Sequence, residues 1–136
     1  MNLYNINNSK ANIARFQKAI IFESEKSALK YRSFFGENAD ISVACCGSNL
    51  SVHQVMLLSS IGVNEIIVAF DRQFQELKDD EFKHLVGNLK KIHNRYKSIT
   101  TISFIFDKNC ITNYKDAPID CGPDIFLQLF KERIFL

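Results

Sequence analysis

With 136 residues, 46% hydrophobic and 24% charged, the chain has the makings of one globular domain, able to bury a core without disulfides or a structural metal. A net charge of +2 is too small to argue nucleic-acid binding by itself, and no apolar run nears the roughly 18 to 20 residues of a membrane helix. The amino terminus has no apolar signal-peptide core, so a cytoplasmic protein without a membrane partner is expected.

Residues 1–17 are polar and Asn-rich, with a short helix expected over 11–16. They read as a lead-in to a domain spanning 18–136, the whole looking like an excerpt of a larger protein. A strand over 18–23 follows, in which Ala19-Ile20-Ile21-Phe22 ends on Glu23. Four apolar residues bounded in this way suit a fully buried strand of a parallel sheet. Ser24 caps a helix over 25–35, and Gly36 stops it. Ile41 to Cys46 reads as the second strand, closed by Gly47. Ser51 with Gln54 three residues on is a capping-box signature for a helix that stops at Gly62.

The third strand, 65–70, runs into Asp71. A long helix over 79–96 carries an apolar stripe, with acids Asp79, Asp80 and Glu81 in its first turn and bases toward its last, as the helix dipole favours. A fourth strand over 100–106 runs into Asp107. A loop over 108–122 leads to Pro123, which suits a first helical position, and Ile134-Phe135-Leu136 is a candidate edge strand. Strands alternating with helices predict an α/β, Rossmann-like fold. Its central sheet is mostly parallel with four strands, or five with the carboxyl-terminal segment, and has helices on both faces.

Three buried strands thus each release an acid, Glu23, Asp71 and Asp107, at the sheet edge where open α/β folds bind ligands. Magnesium or manganese takes such hard oxygen ligands, completed by waters and phosphates. The other reading open on the residues alone is that these acids face solvent or cap helices. Lys26, Lys30, Arg72 and Lys108 flank the acids, where they could hold triphosphate or nucleic-acid backbone. No phosphate-binding glycine loop and no nucleophile elbow is present. His53, His84 and His93 fall on helices away from the strand ends and are expected at the surface or core edge, and Phe74 in packing. Cys45, Cys46, Cys110 and Cys121 form no Cys-x-x-Cys pair and are expected reduced and mostly buried.

Phe22-Glu23-Ser24-Glu25-Lys26-Ser27-Ala28, Val68-Ala69-Phe70-Asp71, and Lys115-Asp116-Ala117-Pro118-Ile119-Asp120-Cys121-Gly122 followed by 126–133 together resemble the Toprim domain. The wording is closest to Toprim domains of primases from phages, plasmids and mobile elements of Gram-positive bacteria. The resemblance implies Glu23 as general acid or base or outer metal ligand, Asp71 and Asp107 as magnesium (or manganese) ligands, and Gly47 as a tight turn keeping the site open. Gln73 stands where the family usually has a second Asp, bringing an amide oxygen without charge. The implied function is the catalytic module of a DNA primase, making RNA primers on a DNA template from nucleoside triphosphates. Its partners would be the rest of its parent protein, other primase domains and a helicase. A degenerate, non-catalytic interaction domain and a Toprim nuclease of the OLD type are the alternatives.

Overall fold

The computed structural model describes residues 3–136. The central sheet has five strands in the order β2-β1-β3-β4-β5. They are β1 (Lys18–Phe22), β2 (Ser42–Ala44), β3 (Glu65–Ala69), β4 (Thr101–Phe104) and β5 (Ile134–Phe135). β1 pairs in parallel with both β2 and β3, and β3 pairs in parallel with β4. β5 runs antiparallel to β4, so the candidate edge strand forms and closes the sheet. Every residue of β3 is buried. Because neighbouring side chains on a strand point to opposite faces, burial throughout means that both faces are covered.

The helices supply that cover: α1 (Ile6–Phe16), α2 (Glu25–Phe35), α3 (Val52–Ile61), α4 (Asp80–Tyr96) and α5 (Pro123–Lys131). From β1 the chain crosses to β2 in one direction, and from β2 and β3 it returns in the other. Right-handed crossovers therefore put α2 on one face and α3 and α4 on the other. In agreement, α2 packs against α5 and α1 against α3. Phe22, Tyr31, Phe35 and Phe126 join β1, α2 and α5 in one aromatic cluster with ring centroids 4.7–6.1 Å apart. Each such pair adds about 0.5–1.5 kcal/mol beyond its burial, enough to seat the short α5. No helix among the described residues is long and apolar enough to cross a membrane.

Local signals explain where the helices begin. Ser24 accepts the Ser27 N–H at 3.3 Å, Ser51 and Gln54 form the full capping box, and Asp79 accepts the Phe82 N–H at 2.7 Å. Gly62, at φ 105°, ends α3 in the left-handed region that glycine enters freely.

β2, at three residues, is shorter than the 41–46 expected, and two further boundaries differ from the sequence reading. α1 is 11 residues long and belongs to the body of the domain, rather than to a lead-in ahead of it. Leu3 and Ile13 lie in the core, and Tyr4 exchanges backbone hydrogen bonds with Ala44 at 2.9 and 3.1 Å. The buried Asp40 carboxylate accepts from Asn5, Arg32, the Ser42 N–H and the Ser42 hydroxyl, which ties α1 to α2 and β2. Met1 and Asn2 of the expected lead-in lie outside the described residues. β4 ends at Phe104, so Asp107 sits in the following loop and not at the strand terminus. All four cysteines are free, yet only Cys45 is buried; Cys46 is exposed, and Cys110 and Cys121 are half-buried.

Candidate functional site

The strand order reverses between β1 and β3, and the crevice beyond their carboxyl ends is where open α/β sheets bind ligands. Phe22 pairs with Ala69, so Glu23 and Phe70 leave the sheet side by side, with Asp71 next. The Glu23 carboxylate accepts the Asp71 backbone N–H at 2.6 Å, and its main-chain carbonyl accepts the Gly47 N–H at 3.0 Å. The Gln73 amide donates to both Glu23 oxygens at 3.1 Å. An amide facing a carboxylate must turn its NH2 toward it. Glu23 is thereby held in place from two sides.

Asp71 is in a different situation. Its Oδ1 is buried and has no hydrogen-bond partner among the described residues. Burial, then the charges of Glu23, Asp120 and Asp116, push its carboxyl up to about 7. Asp116 and Asp120 reach this place through a backbone clasp. The Arg72 N–H donates to the Asp116 carbonyl at 2.8 Å, and the Lys115 N–H to the Arg72 carbonyl at 2.7 Å. Neither acid is among the expected site residues. Their place in the Lys115–Gly122 segment was the available signal, but nothing local says that a loop some 45 residues along folds back on Asp71.

The other expected site residues divide sharply. Asp107 is buried, and its carboxylate accepts the Ile111 N–H at 2.9 Å, the Thr112 N–H at 2.8 Å and the Thr112 hydroxyl at 2.6 Å. Both oxygens are spent on its own loop, and it is not among the charges that perturb Asp71. Asp107 still lines a small cavity together with Asp71 and Asp116, but its carboxylate is engaged within its own loop, and the acids whose charge bears on Asp71 are Glu23, Asp120 and Asp116. Arg72 does not face outward either; its guanidinium donates to the Thr112 and Gln75 carbonyls and lies 5.2 Å from the Phe74 ring. Lys30 is at the site but paired with Asp120 at 2.8 Å. Lys26 and Lys108 are exposed. At Gly47 a Cβ would meet nothing within 4 Å, and the left-handed residue of that turn is Cys46, at φ 59°. Gly47 serves through its N–H to Glu23, which any residue but proline supplies. Phe74 packs between Phe82 and Phe106, as expected.

Outside Asp71 opens a cleft of about 490 Å³, lined by Asp71, Gln73, Asp80, Glu81, His84 and Lys115. His84 thus stands at the strand-end crevice, contrary to its expected place away from it, because Asp80, Glu81 and His84 of α4 line the same cleft as Asp71. The donor set fits a hard cation in part. Asp71 offers a free, buried carboxylate oxygen in an acidic field, and the Gln73 oxygen is a further hard donor. Among the described residues no group of three or more His, Cys, Asp or Glu is placed to hold an ion. One or two carboxylates, with waters and phosphates completing the shell, is what magnesium commonly takes.

No family model matches the chain. A curated relative, the SPbeta prophage-derived uncharacterized protein YorJ of Bacillus subtilis (strain 168), is 31% identical over 141 residues, covering 98% of this chain and 37% of YorJ. Among solved structures, the Aquifex aeolicus primase (zinc-binding and RNA polymerase domains) superposes with a TM-score of 0.69 at 19% identity, over 99% of this chain and 30% of that one. The RNA polymerase domain of Mycobacterium tuberculosis primase DnaG gives 0.65 at 15% identity, over 96% of this chain and 40% of that one. The same domain in complex with a double-stranded DNA oligomer bearing a 6-nucleotide overhang gives 0.63 at 16%, over 97% and 39%. The fold resembles that of primase domains. The chain spans about a third of the length of the curated relative and of the first of these structures.

Proposed function

We propose that this chain is the metal-binding, Toprim-type module of a DNA primase, serving magnesium-assisted nucleotidyl transfer on a DNA template within a larger parent protein. The observation that carries the reading is the pairing of Glu23 with an Asp71 whose buried Oδ1 lacks a partner among the described residues, at the β1/β3 switch point. A strongly perturbed carboxylate in a cleft, with neighbouring acids rather than a cation to compensate it, is a candidate for a functional site. The primase-like fold supports the same reading.

In this role Asp71 would hold the cation, with Gln73 contributing its amide oxygen. A bound divalent ion supplies neutralisation of phosphate charge and a lower pKa for an attacking hydroxyl. Glu23, held by the Asp71 N–H and the Gln73 amide, sits beside the reacting groups as proton acceptor or donor. Asp116 and Asp120 keep the crevice negative, and Lys30 moderates that charge through Asp120. Nucleoside triphosphates, template DNA, other primase domains and a helicase are the partners this role implies.

A second reading has its own observation. Gln73 spends its NH2 on Glu23, as a neutral lock suited to a domain that has given up catalysis and serves in interaction. Manganese titration followed by NMR separates the two. Paramagnetic broadening centred on Asp71 and Glu23, abolished by Asp71→Asn, supports the catalytic module. Unmoved signals at millimolar manganese would refute it. Primer synthesis by the full-length parent, compared with its Asp71→Asn variant, then tests the activity.

A further inference from the structure

The cations expected to meet phosphate are mostly unavailable for it. Arg72 is locked onto backbone carbonyls, Lys30 is paired with Asp120, and neither Lys26 nor Lys108 lines the cleft beside Asp71. The cleft's lining instead contains one lysine, Lys115, and one imidazole, His84. We propose that Lys115 and His84 form the phosphate-holding wall of this cleft, gripping the terminal phosphates of a nucleoside triphosphate that arrives with a divalent cation. The inference rests on the metal-binding reading above and assigns the substrate contacts of that same site.

Three features support it. First, both side chains sit on a braced frame. The Lys115 backbone, in the left-handed region at φ 69°, is pinned by its N–H to the Arg72 carbonyl. The neighbouring Tyr114 donates its hydroxyl to Glu81 at 2.6 Å, linking this loop to α4 one turn from His84. Second, the two side chains are free. His84 is exposed and makes no hydrogen bond among the described residues, and the Lys115 ammonium has only the Tyr114 ring, 5.5 Å away. An imidazole keeps an N–H donor in either protonation state, so His84 can donate to a phosphate oxygen as neutral or cationic.

Third, the charge balance selects the form of the ligand. Asp71, Asp80 and Glu81 outnumber Lys115 in the lining, so a bare phosphate is repelled and a metal-bound one is admitted. The volume, about 490 Å³, lies within the roughly 300–1,000 Å³ typical of small-ligand sites.

The test uses the whole chain and two ligands in sequence, Mn2+ alone and then ATP in the presence of Mn2+. The variants are His84→Ala, His84→Gln and Lys115→Asn, asparagine being chosen because it tolerates the left-handed backbone. The expected result is Mn2+ affinity within twofold of the unmodified chain and an unchanged melting temperature for all three. ATP binding should weaken about tenfold in Lys115→Asn and His84→Ala, with part of the loss recovered by His84→Gln, which keeps a donor. ATP affinity unchanged in both Lys115→Asn and His84→Ala, while Mn2+ still binds, would overturn the phosphate wall and leave the metal reading standing. If the unmodified chain binds no Mn2+, the metal reading falls and the wall falls with it.

Discussion

Glu65 and Asp71 stand at opposite ends of the same strand and have opposite fates. Glu65 opens β3, buried, with Arg133 donating to it at 2.7 and 3.2 Å and the Ser103 hydroxyl at 2.7 Å. Burial alone would raise its pKa, but the hydrogen bonds and charge of Arg133, with Ser103, outweigh it and hold the carboxyl below its ordinary value. Asp71 follows the other end, with acids for neighbours and one oxygen unserved, and its carboxyl rises to about 7. Partnership, more than burial, separates them. A buried acid supplied with donors holds the fold together, and one left without them is available for a ligand.

That contrast can be broken most severely at the Glu65 end. Arg133→Ala leaves a buried carboxylate without its cation and should cost about 3 kcal/mol by urea denaturation. Asp107 belongs with Glu65 in this scheme. Asp107→Ala, which strands two backbone N–H groups and the Thr112 hydroxyl, should cost about 2 kcal/mol and leave manganese affinity unchanged. A large loss of manganese binding there would restore Asp107 to the site.

At Asp71 the sign reverses. Folded Asp71 retains a proton up to about pH 7, whereas the unfolded chain loses it near the ordinary aspartate value of 3.8. The fold binds more protons than the unfolded state between these values, so stability falls as pH rises through that window. Asp71→Asn should flatten that slope and gain about 1 kcal/mol at pH 8 with none at pH 4, read from denaturation curves at the two pH values. Glu65 acts the other way. Its contribution is fully present above the usual glutamate range and is lost as the solution becomes acid. The smallest effect on stability is expected for Gln73→Asp. It adds a charged ligand but sets a like charge against Glu23, so manganese should bind about tenfold more tightly at a cost to stability below about 1 kcal/mol. Calorimetry and thermal melts report the two terms separately.

The sequence made the scaffold readable where the signal is local. The apolar runs of β1 and β3, the Ser24 and Ser51 caps, and Pro123 in the first turn of α5 all act through nearest neighbours. α1 was underestimated because Asn5 caps it in a left-handed conformation with no side-chain hydrogen bond, leaving no signature in the residue types. Glu23 and Asp71 were legible because strand register carries them to one edge. Asp107 was not, since nothing in a strand-end acid says whether its carboxylate turns back on its own loop. Asp116, Asp120, His84 and Lys115 come to the crevice through long-range docking of a loop and a helix end, which a linear pattern does not encode.

The margins of the sheet have a consequence of their own. On one side β2 is three residues long and its outer rim is already bonded by Tyr4; on the other β5 offers two residues running against the rest. Exposed strand rims invite strands from other molecules, and natural proteins blunt them by shortening or covering them. Here Tyr4 already occupies the outer rim of β2, and β5 offers a ladder of only two residues among the described ones, so strand addition has little backbone to build on at either margin.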